Sequence, residues 1–271
     1  MTWTPEDVTL RSFDRSDDYH ACAELQRDIW GRDFSDVVPS SILKISQKVG
    51  GVSAGAFAPD GRLLAFVWGL TGVRHGRPFH WSHMLGVHPE ARDLRLGTRL
   101  KLLQRDLLLP LGIEEVEWTY DPLEARNAHL NLNHLGAEVV EYVEDMYAGE
   151  MGSDLAEGIG TDRFIARWRI ASDRVAAILA GTAQPCNPAA FAGAPILGLA
   201  AADEKTPLPD APRVRVEIPA SIQAVKAERP DEAPLWRQST RRAVQHYFAR
   251  GYRVTAYLRE GDLRFYGLER F

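Results

Sequence analysis

Apolar and polar positions alternate over Val8–Phe13, and the spacing becomes helical immediately afterwards. Ala21, Cys22, Leu25 and Ile29 line one face of a segment from Asp14 to Trp30, with Gly31 at its stop. A second short helix is expected after Pro39, with Ile42, Ile45 and Val49 on one face. Gly51–Phe57 and Leu63–Thr71 are apolar runs separated by Pro59-Asp60-Gly61, which predicts an antiparallel hairpin. Gly72–Pro78 reads as a loop made basic by Arg74, His75 and Arg77, and Phe79–Val87 as the strand that follows it. Leu96–Leu109 is the clearest helix, with Leu96, Leu100, Leu103 and Leu107 in register. Val116–Tyr120 is a strand, and Glu124–Leu135 a helix closed by Gly136. Glu138–Met146 and Phe164–Ile170 are strands. The order β-α-α-β-β-β-α-β-α-β-β predicts an α/β (α+β) fold with a mixed sheet and helices on both faces.

The periodicity then weakens. Residues 171–212, rich in proline and alanine from Thr182 onward, read as a surface connector with a short helix near its start. Val214, Val216 and Ile218 resume the alternation, Pro234–Arg250 is amphipathic, and Tyr252–Leu258 and Leu263–Leu268 flank Glu260-Gly261-Asp262. The expected organisation is therefore a domain over 1–170, a connector over 171–212, and a smaller β-α-β-β unit over 213–271. That last unit carries many aromatics and is short for an independent core, so it is expected to dock on the first domain.

Composition narrows the function classes. The 271 residues are 45% hydrophobic and 25% charged, ordinary for a globular protein. No apolar run approaches a membrane span. A net charge of −5 offers no general attraction for nucleic acid or membrane. Cys22 and Cys186 cannot form a disulfide framework or a Cys-rich zinc site, and no metal is expected. The N-terminus lacks the pattern of a signal peptide, so the expected location is cytoplasmic.

The chemistry concentrates at one place. The strand ending at Val87 runs into a short basic loop, and that loop opens into the Leu96 helix. Unpaired amides and the positive end of the helix dipole converge there, which suits an anion such as a pyrophosphate. Arg92, Arg95 and Arg99 add charge. The same pattern also fits a plain strand–turn–helix with a solvated basic edge. Alternation places Trp81, His83 and Leu85 on one side of the preceding strand, and Ser82 and Met84 on the other. His83 could act as a proton acceptor, or it could be a packed core histidine. Asp145 and Tyr147 are further proton handlers, and Arg74 and Arg77 could hold a substrate carboxylate. Asn127 and Asn131, one helical turn apart, could face a cofactor together. Arg237, Arg241 and Arg242 read as an exposed stripe that pairs with acidic groups.

The stretch Val87-His88-Pro89-Glu90-Ala91-Arg92-Asp93-Leu94-Arg95-Leu96-Gly97 resembles the acyl-CoA-binding motif [QR]-x-x-G-x-[GA] of the GNAT N-acetyltransferase superfamily. Arg92 stands at its first position and Gly97 at its last, while Arg95 replaces the first glycine. The order of elements from Val8 to Ile170 is similar as well. The resemblance implies a splayed sheet in which the Phe79–Val87 and Val116–Tyr120 strands part. It implies that pantetheine pairs with backbone at Leu85 and Val87, around Gly86. It places the diphosphate on the amides of Leu94, Arg95, Leu96, Gly97, Thr98 and Arg99. Asn127-Ala128-His129-Leu130-Asn131-Leu132-Asn133-His134-Leu135-Gly136 is similar in part to a family helix whose frequent general-acid tyrosine is Leu132 here.

The implied activity is direct acyl transfer from acetyl-CoA to a small-molecule amine. Succinyl-CoA with an amino-acid acceptor is the alternative donor and acceptor, and a non-catalytic CoA-binding module the alternative class. A homodimer is the assembly suggested by the resemblance, with no nucleic-acid or membrane partner.

Overall fold

A computed structural model of the chain describes residues 3–147 and 158–271. Hydrogen bonding orders seven strands as β1-β2-β3-β4-β5-β7-β6 and four more as β10-β11-β9-β8. Contacts divide the described residues into two compact units, one of 3–118 with 169–172, the other of 119–147, 158–168 and 173–271.

In the first unit, β1 (Thr9–Ser12), β2 (Val52–Phe57), β3 (Leu63–Arg74) and β4 (Arg77–Val87) are successive antiparallel neighbours. Helix α1 (Ser16–Trp30) and helix α2 (Ser40–Lys48) bury Tyr19, Cys22, Leu25 and Leu43 against Phe66 and Trp68 of β3. Ile42, Ile45 and Val49 share a face of α2 as expected, but that face is exposed, and Leu43 and Ser46 are the residues it buries.

The expected loop over Gly72–Pro78 is not a loop. β3 and β4 continue to Arg74 and Arg77, which face each other across a two-residue turn. His75 (φ 52°) and Gly76 (φ 75°) both take the left-handed conformation that a tight hairpin turn needs. Histidine at such a turn gives little warning in sequence, because Asn and Gly are the residues that usually mark it.

Helix α3 (Leu96–Leu108) was expected to present Leu96, Leu100, Leu103 and Leu107, but it buries Leu96, Leu100, Lys101, Gln104 and Leu108 instead. The helix is rotated so that two polar side chains point inward, where β4 supplies their partners. β5 (Glu115–Tyr120) spans the boundary between the units and runs parallel to β4.

In the second unit, β6 (Glu138–Val143) and β7 (Arg163–Arg169) pair antiparallel. The expected helix over Glu124–Leu135 is one turn of α-helix, α4 (Ala125–Ala128), continued by a π-helical turn over His129–His134. The amide of Leu135 reaches back five residues to the carbonyl of Leu130. Within the expected connector lie helix α5 (Asp173–Leu179) and the short strand β8 (Ile196–Leu197). β8 pairs in parallel with β9 (Arg213–Ile218), and β11 (Leu263–Arg270) pairs with both β9 and β10 (Tyr252–Glu260). Helices α6 (Ile222–Glu228) and α7 (Glu232–Phe248) complete the unit. Its aromatic core joins early and late residues. Phe164 lies edge-on to Tyr266 with ring centres 5.2 Å apart, and Tyr266 donates to the Pro122 carbonyl at 2.9 Å.

Candidate active site

The site is built from β4 upward. Facing β3, Trp68 stands opposite Met84, yet Leu70 stands opposite Trp81. Three steps on β4 match two on β3, which is a β-bulge at Ser82–His83. The bulge breaks the alternation expected from sequence. His80 and Ser82 face α3, whereas both Met84 and His83 turn to the Trp68 side. The His83 ring sits edge-on to Trp68, with centres 5.3 Å apart. Surrounding protein lowers the His83 pKa by desolvation, against the opposing charge of Asp36. The imidazole is therefore neutral at pH 7 and able to accept a proton.

β4 and β5 pair only at His80↔Val116 and Trp81↔Glu117, and then part. Beyond this fork β4 carries Leu85, Gly86 and Val87, and a short 3₁₀ turn over Pro89–Leu94 leads to α3. Arg95, at the N-cap of α3, has φ 53° and ψ 27°. An arginine there takes the left-handed conformation that a glycine would take at little cost, so the loop keeps its path despite the substitution. No side chain caps α3, and its first amides, at Leu96, Gly97 and Thr98, lack intrahelical acceptors by position. Arg92 and Arg95 are exposed. Arg99 is turned away, donating to the carbonyls of Pro5 at 2.8 Å and Val8 at 3.1 Å. Its side chain braces the N-terminal segment, and its amide donates to the Arg95 carbonyl at 3.2 Å, so Arg99 offers the loop no free donor.

Behind the fork lies a polar network that hydropathy did not reveal. Thr71 Oγ1 donates to the Gly50 carbonyl at 2.6 Å, so it can only accept from His80 Nδ1 at 3.0 Å. His80 is fully buried, and desolvation aided by the charge of Lys101 pushes its pKa down to about 3. The neutral ring then accepts at Nε2 from Gln104 Nε2 at 3.0 Å. Gln104 Oε1 accepts from Lys101 Nζ at 3.3 Å, and Ser82 Oγ accepts from it at 2.8 Å. The third N–H direction of Lys101 meets the Trp118 ring, 3.8 Å from Nζ to its centre. Lys101 is 3% exposed, and desolvation lowers its pKa to about 7. Close approach of His80 also explains Gly69, where a Cβ would lie 2.2 Å from His80 Nε2.

On the other face, Glu117 is 2% exposed and held by both guanidinium nitrogens of Arg74 at 2.7 Å. Arg74, expected to hold a substrate carboxylate, thus already holds one of the protein's own. Arg77 is exposed. The sequence signal for Glu117 was a charge on a central parallel strand, where both faces are usually covered.

The remaining candidates lie in the second unit. Asp145 (φ 41°) accepts from the Thr161 amide at 3.1 Å and from Arg241 at 3.2 Å. Tyr147 shares a hydrogen bond with Thr119 Oγ1 at 3.2 Å. Asn131 is buried while Asn127 is exposed, so the two do not share a face; the π-helical turn between them changes the angular step. Leu132 is buried. The arginines of α7 are not a solvated stripe. Arg237 is buried against Asp121 at 2.6 Å, Arg241 binds Asp162, Glu144 and Asp145, and Arg242 donates to the carbonyls of Ala201, Asp203, Glu204 and Thr206. Among the described residues no group of three or more His, Cys, Asp or Glu is placed to hold a metal ion, and no helix is long and apolar enough to cross a membrane.

No protein-family model matches the chain. No curated protein matches it either. Solved structures similar to it include the NatC complex bound to Gag peptide and CoA, at 12% identity and TM-score 0.49, covering 60% of this chain and 98% of that one. The ribosomal-protein-S18-alanine N-acetyltransferase from Escherichia coli is similar at 16% identity and TM-score 0.47, covering 61% and 95%. Aminoglycoside 6′-acetyltransferase type Ii is similar at 17% identity and TM-score 0.47, covering 60% and 98%. The described strands form a mixed sheet flanked by helices, whose fourth and fifth strands run parallel for two residue pairs and then part.

Proposed function

We propose that the chain is an acyl-CoA-dependent N-acyltransferase with acetyl-CoA as donor and a small-molecule amine as acceptor. The observation that carries this reading is the fork between β4 and β5, which opens beside an uncapped helix N-terminus reached through a left-handed Arg95. The amides from Leu94 to Thr98 would hold the diphosphate, with Arg92 and Arg95 supplying charge around it. The freed edge of β4 at Leu85 and Val87 would pair with the pantetheine amides. Bound there, the thioester supplies an activated carbonyl to an attacking amine. His83, neutral at pH 7, accepts the proton that the amine gives up. Arg77, at the end of the β3–β4 hairpin, is free in position to receive a carboxylate, which supports an amino-acid acceptor and a succinyl donor as the second reading.

The test is calorimetric titration with CoA, joined to thiol-release assays with acetyl-CoA and succinyl-CoA over a panel of amines. Wild type should bind CoA, and Gly97→Val should lose at least about tenfold in affinity because the backbone can no longer be approached closely. His83→Ala should bind CoA normally and lose roughly 10²–10⁴-fold in kcat. Unchanged CoA affinity in Gly97→Val would remove this site. Binding without turnover on any amine would make the chain a CoA-binding module.

A further inference from the structure

Lys101 is placed one residue past the last β4–β5 pair on both strands at once. The pair is Trp81↔Glu117, and Lys101 Nζ contacts Ser82 on β4 and Trp118 on β5. Its ammonium is therefore wedged at the crotch of the fork. Each of its three N–H groups has an acceptor, in Ser82 Oγ, Gln104 Oε1 and the Trp118 ring, so the pocket is fitted to the protonated form.

No carboxylate offsets that charge among the described residues. On α3, Arg99 and Arg105 are turned to backbone carbonyls. On β4, His80 is neutral; on β5, Glu117 faces the other side with Arg74. The β2 segment has no titratable side chain, Arg11 of β1 is bound to Asp18, and in the turn before α3 Glu90 is bound to Arg62 while Arg92 and Asp93 are exposed. Ser82 adds a second oddity. Its oxygen is occupied by Lys101, it is 3% exposed, and among the described residues its own O–H has no acceptor. A buried donor without a partner is costly unless something else receives it.

We propose that Ser82 and Lys101 form a proton relay for the thiolate released in acyl transfer, in the place left by Leu132. The inference rests on the acyl-CoA reading above. The amine nitrogen forms the new C–N bond, the C–S bond breaks, and its electron pair goes to sulfur. Ser82 Oγ–H gives its proton to that sulfur and takes one from Lys101 Nζ. The neutral lysine is reprotonated by the proton that the substrate nitrogen has given up, returned through solvent. The pairing with Lys101 makes Ser82 a stronger donor, as a charge-assisted bond does for the next bond in a chain. The lowered pKa of Lys101 lets it cycle between its two forms near neutral pH.

The test uses the full chain with isotope-labelled lysine. Lys101 should titrate near neutrality by NMR, and CoA should raise its midpoint while desulfo-CoA, which lacks the sulfur, should not. Wild-type kcat should fall as pH rises through that midpoint. Lys101→Met should lower kcat about 100-fold, abolish this limb and leave the KM for acyl-CoA within about twofold. Ser82→Ala should lose turnover similarly while Lys101 still titrates, and Ser82→Thr should restore it. An equal Lys101 midpoint with CoA and desulfo-CoA, or full turnover in Ser82→Ala, would overturn the relay even if Lys101→Met failed to fold. Absence of CoA binding in wild type would overturn the acyl-CoA reading, and the relay with it.

Discussion

Two buried charges, one in each unit, are held in opposite ways. In the second, Asp162 is fully buried but surrounded by donors: Arg241 at 2.8 and 2.5 Å, the Tyr142 hydroxyl, and the Asp145 amide at 3.1 Å. Burial works to raise its pKa, yet the Arg241 bonds and the other donors hold it below the usual aspartate range. In the first, Lys101 has hydrogen-bond acceptors but no opposite charge, and its pKa falls. Full ionic pairing fixes a charge permanently. Neutral partners leave a group near its switching point, which is of use where protons move. The Asp162 cluster thus behaves as a structural clamp between α7 and the β6–β7 hairpin, and the Lys101 network as a chemical element.

Breaking the clamp should have the largest effect. Asp162→Ala leaves the Tyr142 hydroxyl and the Asp145 amide without their acceptor and takes from Arg241 its one fully buried partner, leaving it Glu144 and Asp145, and should cost about 3–5 kcal/mol in urea unfolding at pH 7. Because Asp162 has a depressed pKa, its contribution is present above the ordinary aspartate value and lost as pH falls through the native one. The difference between variant and wild type should therefore shrink in acid. A cost under about 1 kcal/mol at pH 7 would refute the clamp.

The opposite sign is expected at the fork. Lys101→Met replaces a buried cation by an apolar chain of similar length and should raise stability by about 1–4 kcal/mol at pH 6. The native pKa, about 7, lies below the unfolded value near 10.5. Between these values the unfolded chain binds more protons, so wild-type stability rises with pH and the variant's advantage should fade from about pH 7 upward. Melting curves from pH 6 to 10 on both proteins check the slope, and a pH-independent difference would mean that the charge is not what costs.

The smallest change is at the rim of the clamp. Glu144 meets Arg241 at 2.5 Å but is 47% exposed. Glu144→Gln should shift stability by no more than about 0.5 kcal/mol, since an exposed ion pair is screened. A loss comparable to that of Asp162→Ala would show the cluster to be one cooperative network rather than a buried core with a loose edge.

The order of strands and helices was legible because each is written in local spacing. The passage from β4 through a basic loop into α3 was legible for the same reason, and so was the resemblance it carries. What escaped was local geometry with no compositional mark. The His75-Gly76 turn lengthened β3 and β4 and moved Arg74 from a supposed loop onto a strand, where it met Glu117. The bulge at Ser82–His83 reversed the facing of Met84. The π-helical turn separated Asn127 from Asn131. Each inserts or removes a fraction of a repeat, and a periodic reading carries that error into every residue beyond it.

By itself the sequence determined most of the elements up to Ile170, their order, and the passage from β4 through a basic turn into α3, since these depend on neighbours a few residues away. Tertiary structure alone decided which polar groups went inside. Hydropathy put four leucines on the buried face of α3, but the residues that turned inward with Leu96 and Leu100 were Lys101 and Gln104. They could do so only because His80 and Ser82 of β4 and Trp118 of β5 stood ready to receive them. Whether a polar side chain can be buried depends on the donors and acceptors that meet it, and those come from strands far away in the chain.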